Sequence, residues 1–244
     1  MRGAVVLSLL RQGSLPWLLG VALGGLLLAD MLAVYRVLPG VCGALTLGTV
    51  TALTGVSLQM TGAAGVIAGW AIMLLAMMPP LVAAPVNHVW EASLPRRRLR
   101  AAMMVLVGYA AVWLAAGLVL IPAAIAAMLV LRSAAFPVAF AFALIWSCSP
   151  LAQLARNKCH KVVRIGLKGW SADRDCLRQG ATVAPWCIVT CWPWMLAAMV
   201  AGTWHVAAMV GVTAVLLMDR ILPPARIGWQ APPSTKFLKL AFKA

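Results

Sequence analysis

Apolar residues come in long runs separated by short polar breaks. The runs are Leu15 to Val37, Val66 to His88, Ala101 to Ile121, Ala134 to Leu154, Ala181 to Ala201 and His205 to Met218. A helix needs about 20 apolar residues to cross the hydrocarbon core of a bilayer. The pattern therefore predicts an all-α transmembrane helix bundle of about six spans. Pro39 to Gly65 is ambiguous: it is rich in Gly and Thr, carries Gln59, and is only moderately apolar. It reads as a seventh span, or as a re-entrant or surface helix packed on the bundle through small residues. Residues 1–222 then form one bundle, and residues 223–244 a basic flexible tail with Lys236, Lys239 and Lys243.

The breaks carry the polar chemistry. Val66 to His88 is interrupted by Pro79-Pro80 and Pro85, which remove helical donors and free the carbonyls one turn back. Within a membrane, such carbonyls persist only where protein or a cavity satisfies them. Residues 155–180 form the one long polar segment, and Arg156 to Arg164 reads as an amphipathic helix lying at the interface. The net charge is +15, from 20 basic and five acidic residues, while hydrophobic residues make up 64% of the chain. In a soluble protein such a charge would suggest nucleic acid. Here the cations lie between the apolar runs and in the tail, so the positive-inside rule and anionic lipid account for them, without nucleic acid. With six spans, the loops around Arg96 and Lys161 and both termini face the cytoplasm. A reducing compartment on that side keeps Cys148, Cys159, Cys176 and Cys187 as thiols.

The run from Cys187 to Met199 is the most informative. Cys187, Cys191, Met195 and Met199 are spaced by four, and His205 and Met209 repeat the interval. On a helix, residues at i and i+4 share a face, so these donors form a stripe. Thiolate, thioether and imidazole are soft ligands that suit Cu(I) or Zn(II). Met and buried Cys also fill apolar helix bundles without binding anything. The predicted topology places His88, Cys148, Cys159, His160 and Cys176 at the cytoplasmic face. It places Met77, Met78, Cys191 and Met195 at mid-depth, and His205 with Met209 near the outer face. Soft donors at three depths are what passing a soft ion through a bilayer requires. Cys159-His160 with Cys176 is the best loop candidate, although its spacing matches no standard zinc pattern.

In order along the chain, several pieces resemble a family of bacterial integral membrane proteins of unknown function that is described as predicted metal-binding. Trp70-Ala-Ile-Met73, then Ala76-Met77-Met78-Pro79-Pro80, resembles its tryptophan, methionine and Ala-Met-Met motif. Ser149-Pro150 followed by Lys158-Cys159-His160 resembles its Ser-Pro-Leu segment and Cys-His cluster. Asp173 to Gly180, Cys187 to Met195, and His205 to Met209 resemble its later signatures. One departure stands out: where that family has adjacent cysteines before Trp, this chain has Thr190-Cys191-Trp192. The resemblance implies metal binding and no particular activity.

No phosphate-binding Gly-Lys loop is present, and no carboxylate lies in the middle of a predicted span, since Asp30 and Asp219 sit at span ends. No nucleophile–base arrangement is recognisable. The expectation is a multi-pass protein of the inner (plasma) membrane, not an enzyme, that handles copper (or zinc) in trafficking or metalloenzyme assembly. Its candidate ligands are Cys159, His160, Cys176, Cys187, Cys191, Met195, His205, Met209, Met77, Met78 and His88. The alternative is a non-catalytic accessory or scaffold subunit of a membrane complex.

Overall fold

In a computed structural model of the chain, residues 15–34, 58–161, 163–166, 169–221, 224, 226–232 and 235 are described. The possible seventh span before residue 58, the amino-terminal segment and the basic end of the tail lie outside the described residues. Among the described residues every regular element is helical. The helices are α1 (Leu15–Val34), α2 (Leu58–Met77), α3 (Ala83–Ala92), α4 (Arg98–Leu131), α5 (Ala135–Cys148), α6 (Pro150–Cys159), α7 (Gly169–Met199) and α8 (His205–Ile221). The all-α expectation holds.

The long helix α7 is the centre, and α4 lies along it. Arg97, just before α4, and Arg100, in its first turn, both pair with Asp173 near the start of α7, the latter at 2.7 Å. The two helices therefore run in the same direction. Their crossing is close because two glycines meet it. A Cβ on Gly180 would sit 2.1 Å from the Val105 carbonyl oxygen, and one on Gly108 would sit 2.2 Å from that of Leu177. Small residues at such a crossing let backbones touch.

Helix α5 runs the opposite way. Near its end, the indole of Trp146 donates to the Val189 carbonyl at 2.8 Å, and Ser147 Oγ accepts from the indole of Trp194 at 2.8 Å. The bond to Val189 has a sequence cause. Pro193 lies inside α7 and has no N–H, so the carbonyl four residues back lacks its helical partner. Trp146 supplies the missing donor. The chain reverses between α4 and α5 at Arg132–Ala134, where Arg132 takes φ 50°.

Helix α5 stops because Pro150 disfavours helical backbone in the residue before it. Ser149 then caps α6, its hydroxyl oxygen accepting from the Ala152 N–H at 3.2 Å. This break corrects the span expected from Ala134 to Leu154. The polar face of α6 turns inward: Arg156 donates to the Ser147 carbonyl and to Gln153, both at 2.9 Å, and faces Asp219 at 3.6 Å.

Among the described residues two helical stretches are long and apolar enough to cross a membrane, Pro95–Cys148 and Gly169–Met199, and the first contains the reversal at Arg132. A third is added if Ile67–Met77 and Pro79–Ala92, bent by 57°, act as one span. That is fewer than the six expected. Part of the difference is that Pro95–Cys148 joins two expected runs in one stretch, and part is length, since α5 has 14 residues and α8 has 17, short of the roughly 20 a lone span requires.

Candidate copper site

The bend between α2 and α3 sets the first donor. Pro79 and Pro80 cannot donate, so the helix breaks after Met77 into a short 3₁₀ turn, Pro79–Val82. Met78 stands at the corner, buried, its own N–H still bonded to the Leu74 carbonyl at 2.9 Å. The corner presents its thioether to α4, where the Tyr109 hydroxyl lies 3.5 Å from Met78 Sδ.

The same hydroxyl donates to Cys187 Sγ at 2.9 Å. Cys187 and Cys191 occupy one face of α7, and their sulfurs are 3.6 Å apart. Both side chains are 0% exposed. Two metal–sulfur bonds of about 2.3 Å reach across at most about 4.6 Å, so both thiols can hold one ion. Thr190 closes the flank, its hydroxyl donating to the Cys187 carbonyl at 2.8 Å and lying 3.4 Å from Cys191 Sγ. Arg220, near the end of α8, turns its guanidinium toward the sulfurs of Cys187 and Cys159. Its Nη2 is buried and has no hydrogen-bond partner.

This places the expected donors unequally. Cys187 and Cys191 come together, and Met78 meets the same Tyr109 hydroxyl as Cys187. Met77, Met195 and Met209 are fully buried in the same core. Cys159, His160 and Cys176 do not form a shared group: among the described residues no three His, Cys, Asp or Glu side chains converge as metal ligands. Cys159 instead meets Arg220, and burial pushes its thiol up to about 11, which keeps it protonated at neutral pH. Burial also lowers the His160 pKa, and the Arg220 charge lowers it further. His88 directs Nε2 at the Val163 carbonyl, 3.2 Å away, and so anchors the segment after α6. Gln179 holds that segment too, accepting from the Val163 N–H at 2.6 Å.

Tyr109, Thr190 and Arg220 are the participants the spacing argument overlooks. Tyr109 carries a usable signal: it is one of two tyrosines and sits inside an apolar run, where a phenol needs a hydrogen-bond partner. Arg220 reads as an interfacial charge closing the last run, and only the three-dimensional packing turns it inward.

An apolar cavity of about 210 Å³ opens beside this cluster, with Met78 and Tyr109 in its wall and Trp17, Leu74, Trp113 and Leu114 around them. A family model described as PpoB2, copper chaperone, matches residues 67–238, well over half of the chain. The chain belongs to the PpoB2 copper chaperone family. No curated protein and no solved structure matches it at a significant level. The matched region takes in α2 from residue 67, then α3, α4, α7 and α8, and so every residue of the cluster.

Proposed function

We propose that this copper chaperone carries Cu(I) as cargo on Cys187 and Cys191, with Met78 as a third, weaker donor. It acts within the plasma (inner) membrane and hands the ion to a membrane-bound acceptor. The observation that carries the reading is the 3.6 Å approach of two fully buried thiols beside a thioether. Thiolate and thioether select Cu(I) over harder ions. Electrostatics supports the same assignment. Two thiolates and one Cu(I) carry a net charge of −1, which is costly in an apolar interior unless paired. The Arg220 guanidinium, facing Cys187 with an unsatisfied Nη2, supplies the opposite charge. The cavity beside Met78 offers a way in that does not cross the packed α4–α7 face.

The role involves ligand exchange and no catalytic step. The cations on the side of α4's start and the segment after α6 rest on anionic lipid, and the acceptor is a partner protein in the same membrane. Cu(I) loading tests the proposal, on protein purified in detergent under reducing conditions and competed against a Cu(I) chelator. Wild-type protein should retain copper, and the Cys187→Ser/Cys191→Ser variant should lose the cysteine-bound equivalent. Equal copper in the two proteins would remove the proposal.

A further inference from the structure

His205 opens α8 directly after the turn that ends α7. Its Nδ1 lies 2.7 Å from the Ala198 carbonyl oxygen. A carbonyl only accepts, so Nδ1 carries the proton and donates it. The other ring nitrogen, Nε2, is buried and has no hydrogen-bond partner, in a residue only 5% exposed. A second proton there would make a buried, unpaired cation, so Nε2 is a bare lone pair. A backbone carbonyl that fixes one ring nitrogen and leaves the other free is how a metal-binding imidazole is held. Met209 lies one turn further along the same face of α8, 1% exposed. Met195 and Met199 on α7 are buried in the same core.

We propose that His205 Nε2 and Met209 form a second Cu(I) station, which receives the ion from the Cys187–Cys191 pair by way of Met195. This extends the copper-carrier reading above and rests on it. Along α7, Ala198 is seven residues from Cys191, about 10 Å at 1.5 Å per residue, and Met195 stands between. Cys191 and Met195 are one turn apart on α7, Met195 and Met209 lie in the same buried core, and each move exchanges one soft ligand for another without a change of oxidation state. The imidazole–thioether pair carries no charge of its own, so copper bound there makes a cationic complex. Copper on the cysteine pair makes an anionic one. The second station therefore holds the ion more loosely, as an exit site needs.

The test uses the full chain in detergent micelles, with Cu(I) supplied as the chelator complex and histidine labelled with ¹⁵N. His205→Asn keeps a side-chain amide that can donate to the Ala198 carbonyl but removes the Nε2 lone pair, so folding and ligation are separated. Wild-type protein should bind two equivalents, and His205→Asn should bind one with an unchanged melting temperature. The chain has three histidines, so three imidazoles appear in the spectrum. One Nε2 resonance should move with the second equivalent and vanish in His205→Asn. Cys187→Ser/Cys191→Ser should lose the tighter equivalent and keep this shift. Retention of the tighter equivalent there would sink the cysteine assignment while leaving the second station standing. Two equivalents in His205→Asn, or no imidazole shift in wild-type protein, would overturn the second station whatever the cysteines do.

Discussion

Cys187 and Arg220 show how one residue's role depends on another 33 positions away in sequence. A thiol pair in a dry helical core is an ordinary filler until a cation faces it. In the proposed site Arg220 would change the chemistry, because its charge would offset an anionic copper–dithiolate complex in a medium where water cannot. Removing one partner of a buried charge pair costs about 3–5 kcal/mol. Each 1.36 kcal/mol is a factor of ten. Arg220→Gln should therefore weaken Cu(I) binding by at least about a hundredfold in chelator competition, whereas Arg220→Lys should recover much of it. If Arg220→Gln binds copper as the parent does, the guanidinium is no counter-charge. The sulfurs themselves were legible at this scale from their spacing alone. Arg220 was not, because its neighbour Asp219 made it look like the polar end of a span. In the fold, Asp219 is taken by Arg156 from α6, and Arg220 is left to turn toward sulfur.

At the scale of elements, the site exists because α4 and α7 approach to backbone contact. Gly108 and Gly180 permit this, and Tyr109, next to one of them, thereby reaches Cys187. A methyl at residue 180 would collide with the Val105 carbonyl and come within 2.8 Å of the Tyr109 nitrogen. Neither atom can swing aside, so the helices must part. Overpacking of this kind costs about 1–3 kcal/mol. At about 2–4 °C per kcal/mol for a chain of this size, Gly180→Ala should lower the melting temperature by about 2–12 °C. It should weaken copper binding as well, since Tyr109 moves away with α4. Gly211→Ala is the control: nothing lies within 4 Å of its Cβ position, so both readouts should stay near the parent values. A Gly180→Ala protein as stable as Gly211→Ala would mean that the tight crossing does not position the site. The proline breaks were readable from the sequence, and the bend at Pro79-Pro80 falls where they placed it. The glycine crossing was not readable, because a glycine in an apolar run looks the same whether it faces lipid or a neighbour's backbone.

For the whole molecule, hydropathy predicts helices, and among the described residues fewer of them qualify as independent spans than the six expected. Runs such as Ala134 to Leu154 are apolar enough overall, but Ser149-Pro150 cuts this one, and its second half packs polar groups inward. What survives is an ordered direction along α7. The Arg97–Arg100–Asp173 clasp and the anchored segment after α6 lie at its start, the cysteine pair in its middle, and His205 at its far end. If copper moves along that direction across a membrane, the two ends of α7 must face opposite compartments. The helix has 31 residues, about 46 Å at 1.5 Å each, which exceeds the roughly 30 Å hydrocarbon core. The positive-inside rule predicts the arginine end on the cytoplasmic side. Arg96 and Trp204 are both exposed and sit near these two ends, so each offers a reporter position. In intact cells, a membrane-impermeant maleimide should label Trp204→Cys at once and Arg96→Cys only after lysis, with the parent protein setting the background. Labelling of both residues from the same side would mean that α7 does not cross, and that copper enters and leaves by one face.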